Sequence, residues 1–485
     1  MRYPISRRTL LEVLSAAGVA VYLPACKDGA TGDDSSDDTA AANQRVIVLG
    51  GGLAGLSAAY ELVKLGHEVV VLEAQSRVGG RVHTHREGWA DRQYVELGAT
   101  RIPDVHDHTL GYVEELGLTL STFQSGDPLY YLNGQRFIHQ SGEGWPLDMT
   151  EEEQANGLDM WSTYIAAYFA DFGNPRDGSF PAPGVVDAYD GMTWTDFLLS
   201  KGCSADWLRL YTADNGSEIS KIGCLAWMAA EVADQDWGDT FHVDGGNDLI
   251  VSGLAELLGD AVRLERVITR IEHSETGVVI TATHDGAEET YEGAHCVCAI
   301  PFTILRNIEI SPAFADDKMQ CIQELYMMPS SRGWFQTRSR FWQSEGIGGL
   351  KICKTDTAAE RIWDLSNVLA GSSGMVMAYT QHLNAQALSA VAEDGRQEYL
   401  LGIIDDFLPD LRDEVTGFVS KSWEQDEWVM GAWTDILPDQ WWMFTVIGRP
   451  EGRVHFAGEH TSIWAGWMQG AIESGKRCAQ EIHQG

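Results

Sequence analysis

Three glycines stand close together just after the first strand-like run of the sequence. Gly50, Gly52 and Gly55 match the spacing G-x-G-x-x-G within "VIVLGGGLAGLSAAYELVKLG". In that pattern the first glycine allows a tight turn, the second lets a pyrophosphate approach the backbone, and the third lets a helix touch a strand. Glu73 follows at the end of the next apolar run, where a carboxylate can accept hydrogen bonds from a ribose. Together these residues predict a dinucleotide site.

The residues that flank the glycines form the elements needed to position such a site. Residues 46–49 are a β-branched run, "LAGLSAAYELVKLG" has apolar residues at helical spacing, and "HEVVVLEA" follows as a second strand. This order predicts one strand–turn–helix–strand unit. The helix begins at the phosphates, where its N-terminal backbone amides favour an anion.

The composition bounds the size of the fold and excludes some partners. A chain of 485 residues is too long for one core and predicts two or three domains. A net charge of −37 argues against nucleic acids and anionic membrane surfaces, because an acidic field repels phosphate. The cysteines are scattered and form no Cys-x-x-Cys pair, so neither a zinc site nor a disulfide framework is predicted. We expect Cys296 and Cys298, which alternate within "AHCVCAI", to pack in the core.

The first residues indicate export rather than fold. Arg7 and Arg8 precede a short apolar stretch in "SRRTLLEVLSAAGVAVYLPAC", as in a twin-arginine signal. Cys26 ends a segment similar to a bacterial lipoprotein cleavage site, although ordinary cleavage beside an incidental cysteine stays open. We therefore predict a signal over 1–26 and a disordered acidic linker over 27–44. The predicted location is periplasmic or at the cell surface, with a lipid anchor at Cys26 as one form.

Two further stretches carry a family resemblance. "EAQSRVGGRVHT", which begins at Glu73, and "RVHFAGEHTSIWAGWMQGAIESG" near the C-terminus resemble FAD-binding segments of the flavin amine oxidase superfamily. The resemblance runs from about residue 46 to residue 482 and implies a bound FAD. The cofactor contacts that it implies are Gly50, Gly52, Leu53, Ala54, Gly55, Glu73, Ala74, Arg77, Gly80, Arg81, Gly98, Ala99, Thr100, Arg101, Val267, Trp423, Gly458, Glu459, Gly466, Trp467 and Met468.

The same resemblance implies the fold class and the division of the chain. We expect an α/β protein with a Rossmann-like FAD-binding domain of the glutathione reductase type, a mixed-sheet substrate domain and a helical insertion. The expected ranges are 45–81, 237–312 and 446–485 for the discontinuous FAD-binding domain, 82–141 and 313–445 for the substrate-binding domain, and 142–236 for the helical domain. In the helical domain, Thr150 and Glu153 have the spacing of a capping box.

Within the superfamily the chain is most similar to L-amino acid oxidases. One stretch of L-amino acid oxidases carries an arginine that binds the substrate carboxylate. The segment "VELGATRIPDVHDHTLGYVEELGLTLSTF" resembles that stretch, and its arginine is Arg101. "GMVMAYTQ" resembles the strand whose tyrosine donates to the same carboxylate, here Tyr379, and Gly466 matches a backbone contact to the substrate amine. A buried carboxylate without a partner is costly, so an arginine fork is the expected solution.

Two tryptophans and one alanine match further family positions. Trp433 and Trp467 fall where amine oxidases place two aromatic rings around the substrate in front of the flavin. Trp423 matches a ring stacked near the isoalloxazine. Ala432 stands where monoamine oxidases carry the cysteine that links the flavin, which implies a non-covalent FAD.

One position departs from the family pattern. "PSSRGWFQTRSRFWQSEGIGGLK" resembles the strand that presents a lysine, which holds a water against flavin N5, but this chain has Arg332 there. Arginine is bulkier, forked and always charged, so the effect of this candidate catalytic residue on the water and on the reaction with oxygen is open. His106 and His108, in "DVHDH", are expected to be solvated, and no metal site is predicted.

The activity implied by the resemblance is FAD-dependent oxidative deamination of an L-amino acid. A hydride from Cα passes to flavin N5, water releases the 2-oxo acid and ammonia, and oxygen becomes hydrogen peroxide. Three alternatives stay open: a monoamine or polyamine oxidase, an amino acid dehydrogenase with another electron acceptor, and a surface lipoprotein that keeps a flavin scaffold to bind a partner. The expected partners are a small amino acid or amine and molecular oxygen, without nucleic acid, and a homodimer is left open.

Overall fold

The computed structural model of the chain describes residues 43–140 and 142–485. The predicted export signal, the lipidation site at Cys26 and all but the end of the predicted acidic linker lie outside the described residues, so these features stay predictions. Within the described part of the chain, no helix combines the length and the hydropathy needed to cross a bilayer.

The strands of the described residues are short, and most of them belong to three sheets. In chain order they are β1 (Arg45–Leu49), β2 (Glu68–Leu72), β3 (Thr84–His85), β4 (Val95–Glu96), β5 (Ile102–Pro103), β6 (Leu120–Thr122), β7 (Leu129–Leu132), β8 (Gln135–Ile138), β9 (Thr240–Val243), β10 (Val262–Arg263), β11 (Val267–His273), β12 (Val278–His284), β13 (Ala287–Gly293), β14 (His295–Cys298), β15 (Glu309–Ser311), β16 (Tyr326–Met328), β17 (Ser330–Thr337), β18 (Lys351–Thr355), β19 (Arg361–Asp364), β20 (Gly374–Gln381), β21 (Val415–Ser422), β22 (Trp433–Asp435) and β23 (Val454–Phe456).

The α-helices of the described residues are interspersed with these strands, and short 3-10 turns join several of them. In chain order they are α1 (Leu53–Lys64), α2 (Asp107–Glu115), α3 (Glu151–Asn156), α4 (Trp161–Tyr164), α5 (Phe169–Phe172), α6 (Val185–Tyr189), α7 (Trp194–Ser200), α8 (Ala205–Asn215), α9 (Cys224–Ala233), α10 (Asp248–Leu258), α11 (Phe302–Leu305), α12 (Asp316–Glu324), α13 (His382–Ser389), α14 (Arg396–Ile404), α15 (Asp410–Glu414), α16 (Trp441–Ile447) and α17 (Met468–Gln484).

A parallel sheet of five strands forms around the glycine turn. Its order is β10–β2–β1–β14–β23, and every neighbouring pair is parallel. The elements β1, α1 and β2 form the predicted strand–helix–strand unit, and residues 46–49 are fully buried. Cys296 and Cys298 lie in β14 and are buried, as expected. The chain returns to this sheet from three separated stretches, and the domain boundaries given above stay predictions.

Glycines let the elements of this unit approach closely. Gly50 has a φ of +99°, a left-handed conformation that favours glycine. A Cβ at Gly55 would lie 2.0 Å from the carbonyl oxygen of Gly50, so a larger residue would push the helix away from the turn. A Cβ at Gly475 of α17 would lie 2.5 Å from the carbonyl oxygen of Ala54 in α1. Helix α1 therefore packs directly against both the turn and α17.

A mixed sheet of seven strands carries the second group of candidate residues. Its order is β21–β17–β20–β19–β18–β7–β8, in which β18 and β7 pair in parallel and the other neighbours are antiparallel. Strands β17 and β20 are buried along their whole length. Arg332 of β17 stands opposite Tyr379 of β20, and Arg361 of β19 is paired with the same tyrosine. Residues in register lie side by side on one face, so the sheet brings these three side chains together.

Short helices occupy the range predicted for the helical insertion. Helices α3–α9 follow one another between residues 151 and 233. The Thr150 hydroxyl accepts a hydrogen bond from the Glu153 N–H, and the Glu153 carboxylate accepts one from the Thr150 N–H, so the predicted capping box is confirmed. Trp194 and Trp207 are fully buried among these helices. Such packing stabilises them, because helices of one or two turns are unstable alone.

Candidate active site

One large cavity gathers residues that are far apart in the sequence. It has a volume of about 510 Å³ and is lined by the loops after β1 and β14, the N-termini of α1 and α17, and part of the seven-stranded sheet. All the predicted cofactor and substrate residues except Gly55 and Arg77 line it. They are Gly50, Gly52, Leu53, Ala54, Glu73, Ala74, Gly80, Arg81, Gly98, Ala99, Thr100, Arg101, Val267, Arg332, Tyr379, Trp423, Trp433, Gly458, Glu459, Gly466, Trp467 and Met468.

The cavity reaches the N-termini of two long helices. Helix α1 begins after Gly52 and α17 begins after Trp467, and neither has a side-chain cap or an acidic residue in its first turn. The backbone N–H groups of a first turn need acceptors, and the helix dipole favours negative charge there. A Cβ at Gly52 would meet no atom within 4 Å, so the backbone is open to a ligand at this point. Both helix ends therefore suit electron-rich groups such as a pyrophosphate.

Glu73 lines the cavity beside the glycine turn. Its Oε2 accepts a hydrogen bond from the Gly51 N–H at 2.6 Å, and its Oε1 accepts one from the Gln75 N–H at 2.8 Å. Burial raises the pKa of Glu73, while these N–H donors and the Arg77 charge oppose the rise. A carboxylate can accept about four hydrogen bonds, so Glu73 retains capacity for the hydroxyl groups of a ribose.

Gly55 and Arg77 lie outside the cavity lining. Gly55 is inside α1, where its lack of a side chain serves packing rather than contact with a ligand. Arg77 donates hydrogen bonds to the carbonyl oxygens of Val78 at 3.2 Å and Gly80 at 3.0 Å. The structure thus brings Arg77 to the turn before Arg81 but not to the cavity, because the nearby backbone engages its donors.

A salt bridge joins the two segments that resemble FAD-binding sequences. Arg81 donates to Glu459 Oε1 at 2.7 Å and to the carbonyl oxygen of Ala432 at 2.9 Å. Glu459 Oε2 accepts hydrogen bonds from the N–H groups of Gly466 at 2.9 Å and Thr434 at 3.3 Å. Burial is the largest influence on Glu459 and disfavours its ionised form, but the charge of Arg81, the adjacent His460 and the hydrogen bonds to the carboxylate together outweigh burial and lower the pKa of the carboxyl. Glu459 therefore holds three cavity segments in place.

Trp423 and Gly98 form a tightly packed part of the lining. The Trp423 Nε1 donates to the carbonyl oxygen of Leu97 at 2.8 Å. A Cβ at Gly98 would lie 1.7 Å from the carbonyl oxygen of Arg81 and 3.1 Å from Trp423 Cζ2, so glycine alone fits here. The described cysteines are all buried and none of them lines the cavity. A thioether link to a cofactor therefore has no sulfur available among the described residues, as the alanine at position 432 implies.

Arg101 presents a guanidinium group without a polar partner. Its Cζ lies 4.6 Å from the ring centre of Trp363, 5.1 Å from that of Trp467 and 5.4 Å from that of Trp237. Within residues 43–140 and 142–485 its side chain forms neither a salt bridge nor a hydrogen bond. Burial lowers the pKa of Arg101 to about 10, and other positive charges nearby contribute to that shift. The three rings hold the guanidinium group while its N–H donors stay available to a ligand in the cavity.

Arg332 lies between Tyr379 and the segment that contains Arg101. It donates to the carbonyl oxygen of Gly98 and to Thr100 Oγ1, the latter at 3.1 Å. Its Cζ lies 4.2 Å from the ring centre of Tyr379. The Nε of Arg332 is buried and has no hydrogen-bond partner among the described residues. The fork of this arginine is thus directed at the backbone that leads to Arg101.

Several residues of the cavity were not predicted from the sequence. Arg361 and Trp363 alternate along β19 and so share one face of the strand, which is a signal that the sequence carries. Arg361 donates to the carbonyl oxygen of Asn215 and to Gln381 Oε1. The cavity lining also contains five further residues that were not predicted: Glu218, Glu231, Trp237, Lys351 and Asp435.

His106 is buried, so the expectation that it is solvated is wrong. It is 1% exposed, its Nε2 lies 3.5 Å from Asp234 Oδ1, and its ring centre lies 4.9 Å from that of Trp467. The reason is that the start of α2 packs against the loop before α17, while His108 is half-buried. Among the described residues, no group of three or more His, Cys, Asp or Glu side chains is placed to hold a metal ion.

Known proteins resemble the chain over most of its length. Residues 53–483 match the family model described as flavin containing amine oxidoreductase. The chain belongs to this family. It is 30% identical over 470 residues to a flavin-dependent L-tryptophan oxidase of Lentzea aerocolonigenes, which covers 91% of this chain and 98% of that protein. It is 26% identical over 460 residues to an L-amino-acid oxidase of Demansia vestigiata, which covers 91% and 87%.

A solved structure shares the fold of this flavin-containing amine oxidoreductase. Putrescine oxidase bound to putrescine superimposes with a TM-score of 0.78 at 21% identity, over 91% of this chain and 99% of that chain. The fold is therefore the mixed α/β fold of FAD-dependent amine oxidases, with a Rossmann-like FAD domain, and FAD is the cofactor. Membership implies a small-molecule substrate and oxygen as co-substrate. The described residues fit FAD, because the open backbone at Gly52, the uncapped end of α1 and the Glu73 carboxylate suit its adenosine diphosphate part.

Proposed function

We propose that this oxidoreductase catalyses the oxidative deamination of an L-amino acid to the 2-oxo acid, with release of ammonia and hydrogen peroxide. The observation that carries the proposal is Arg101, a half-buried cation that lines the cavity and has no anion of its own among the described residues. An amino acid brings a carboxylate to that cation, whereas a plain amine does not. Relatives named L-tryptophan oxidase and L-amino-acid oxidase support the same substrate class.

Arg101 offsets the cost of taking a carboxylate out of water. Desolvating one ion costs several kcal/mol, and a charge-assisted fork of two hydrogen bonds is the usual compensation. The rings of Trp237, Trp363 and Trp467 exclude water from the guanidinium group and so strengthen the pairing. The Tyr379 hydroxyl has no hydrogen-bond partner among the described residues and lines the same cavity, so it can donate to the same carboxylate.

The remaining residues place the reacting Cα. When bound, FAD supplies the acceptor for the hydride that leaves the substrate Cα. The Gly466 N–H donates to Glu459, which leaves the Gly466 carbonyl oxygen as the backbone acceptor for the substrate amine. A Cβ at Gly466 would lie 3.3 Å from Trp433 Cγ, so the backbone at Gly466 packs close to the Trp433 ring. The substrate amine must be neutral before the hydride leaves, and no side-chain base is needed once positioning is achieved.

The experiment that tests this function is anaerobic bleaching of the bound flavin by a panel of L-amino acids, D-amino acids and amines. We expect L-amino acids to bleach it, and D-amino acids and amines to fail. Arg101→Ala should lower kcat/KM for L-amino acids by about 30-fold to several thousandfold, since orphaning a buried charge costs roughly 2–5 kcal/mol. Arg338→Ala, in which a 60% exposed arginine is removed, is the matched control and should change little.

The alternatives give different results in the same assay. Bleaching by amines that lack a carboxylate, with no effect of Arg101→Ala, would identify a monoamine or polyamine oxidase. Bleaching by L-amino acids without reoxidation by oxygen would identify an amino acid dehydrogenase. A yellow protein that no substrate bleaches would support a binding scaffold.

A further inference from the structure

Two buried carboxyl groups line the cavity beside Trp433. Glu218 lies in the 3-10 turn after α8, and Asp435 is the last residue of β22. They are 8% and 4% exposed, and both line the cavity. Among the described residues neither forms a salt bridge, and Glu218 Oε2 and Asp435 Oδ2 have no hydrogen-bond partner. Two acids, each with one oxygen that lacks a hydrogen-bond partner, therefore line the cavity.

The pair lies at the wall that Trp433 shapes. Trp433 and Asp435 are two residues apart in β22, so their side chains lie on the same face of the strand. Thr434 points the other way, where its hydroxyl donates to Met327 Sδ at 3.0 Å. The side chains of Gln381 and Trp433 donate toward the carboxyl of Glu218 and oppose the rise that burial causes in its pKa. The acid pair thus belongs to the substrate part of the cavity.

Among the described residues, no cation forms a salt bridge with either carboxyl group of the pair. Burial raises the pKa of both carboxyl groups, and the charge of Glu218 further raises that of Asp435, so the two lie within electrostatic reach. The charge of Arg361 opposes the rise in the pKa of Glu218, but its two terminal nitrogens donate to the carbonyl oxygen of Asn215 and to Gln381 Oε1. Two neighbouring buried acids are costly unless a partner compensates them.

Two half-buried acids of this region have hydrogen-bond or salt-bridge partners, unlike the pair. Glu231 accepts hydrogen bonds from Trp161 Nε1 at 2.9 Å, Trp227 Nε1 at 2.8 Å and the Tyr211 hydroxyl at 3.1 Å. Asp214 forms salt bridges of 2.8 Å and 2.9 Å with two lysines. Polar groups buried in folded proteins normally have partners, so the exception indicates a ligand.

We propose that Glu218 and Asp435 form the subsite for a positively charged side chain, so that the preferred substrates are basic L-amino acids such as lysine, ornithine and arginine. The inference rests on the proposed function, because Arg101 must hold the carboxylate of the same molecule. An ammonium or guanidinium group supplies the donors that the two acids lack. The substrate then spans the cavity between the Arg101 cation at one end and, at the other, the carboxyl pair, whose ionised form its ammonium or guanidinium group stabilises.

The test compares charged substrates with neutral ones of the same shape on the FAD-loaded enzyme. We expect kcat/KM to be at least tenfold higher for L-lysine than for L-norleucine, and for L-arginine than for L-citrulline. Glu218→Gln and Asp435→Asn should each lower the lysine-to-norleucine ratio by tenfold or more while norleucine oxidation changes little. Glu231→Gln, at a half-buried acid of the cavity lining whose oxygens accept hydrogen bonds, is the matched control and should leave the ratio unchanged.

Binding gives a second readout that does not depend on turnover of an α-amine. 6-Aminohexanoate is lysine without its α-amine, and hexanoate is the same carboxylate without the terminal ammonium group. We expect 6-aminohexanoate to perturb the flavin spectrum at a concentration at least tenfold lower than hexanoate does, and we expect Glu218→Gln to remove that difference. Melting temperatures of the variants within a few degrees of the parent protein separate this effect from a failure to fold.

The outcomes separate the two proposals. Oxidation of L-norleucine as efficiently as L-lysine, with ratios that the variants do not change, overturns the subsite and leaves the amino acid oxidase intact. Failure of every L-amino acid, norleucine included, overturns the function itself. Faster oxidation of cadaverine than of L-lysine overturns both, since cadaverine keeps the cation and lacks the carboxylate.

Discussion

Arg332 and Tyr379 stand opposite each other on neighbouring antiparallel strands, and the guanidinium carbon of Arg332 lies 4.2 Å from the centre of the Tyr379 ring. The guanidinium carbon of Arg361 lies 4.8 Å from the same ring centre. A cation over an aromatic ring contributes about 0.5–2 kcal/mol, depending on desolvation. The two arginines therefore fix the ring, and the hydroxyl position follows from the sheet rather than from a hydrogen bond of its own.

Tyr379→Phe separates the hydroxyl group from the ring. The variant keeps the aromatic contacts with both arginines and loses one donor to the substrate carboxylate. A hydrogen bond to a charged group contributes roughly 1.5–3 kcal/mol, so we expect kcat/KM for L-amino acids to fall by about tenfold to a hundredfold. Steady-state kinetics measure this, and most of the change should be in KM. An unchanged KM with a lower kcat would place the hydroxyl elsewhere in the reaction.

The glycine turn, the strand–helix–strand unit and the cavity residues around them could be predicted from the sequence. Local spacing dictates these features: Gly50 needs its positive φ, and Gly55 needs its missing side chain for packing. The family pattern supplied Arg101 and Tyr379, which the cavity brings together. Arg77 has suitable chemistry but is turned to the backbone, which depends on a local conformation that spacing does not reveal.

Other parts of the cavity depend on contacts between distant segments. Trp237 and Trp363 contact Arg101 from two different regions of the chain, so no local sequence pattern predicts these contacts. Glu218 and Asp435 each resemble a surface acid in sequence, and they line one cavity only because distant segments meet: the Gly223 N–H donates to the carbonyl oxygen of Ile436, the residue after Asp435. Tertiary burial decides what such residues do, and periodicity alone does not reveal it.

Arg332→Lys tests whether the arginine at the position of the family's lysine affects the reaction of the reduced enzyme with oxygen. The arginine fork is engaged by the Gly98 carbonyl oxygen and Thr100 Oγ1, whereas a lysine places a compact ammonium group near the same point. We expect the rate constant for reoxidation of the reduced enzyme by oxygen to rise about tenfold, which corresponds to about 1.4 kcal/mol. Stopped-flow mixing of reduced enzyme with oxygen measures it.

The reductive half of the reaction provides the control for Arg332→Lys. Anaerobic reduction by a good L-amino acid should change far less than reoxidation, because the Arg101 and Tyr379 contacts to the carboxylate remain. Equal changes in both halves would show that Arg332 acts mainly through the backbone of Gly98 and not at the oxygen site.

We also propose export by the twin-arginine route, supported by Arg7 and Arg8 in the first residues of the sequence. Replacement of both by lysine should leave the flavoprotein inside the cell and active, because this route carries proteins folded around their cofactors. Cell fractionation measures the distribution. Cys26→Ser should release the exported protein from the membrane fraction if Cys26 is lipidated, and the same distribution in both proteins would indicate ordinary cleavage.

Glu459→Gln tests the salt bridge that joins the FAD-binding segments. Because Arg81 lowers the pKa of Glu459, the ionised carboxylate stabilises the fold above the usual carboxyl pKa, and this contribution is lost as the pH falls through the lowered value. A fully buried pair costs about 3–5 kcal/mol to break; the Arg81 side chain is 22% exposed, so we expect roughly 1–3 kcal/mol at neutral pH. Melting curves between pH 7 and acid should show the two proteins converging as the pH falls. Glu398→Gln, which removes a 71% exposed partner of Arg412, should change stability far less, and an equal loss at both sites would contradict the role of burial.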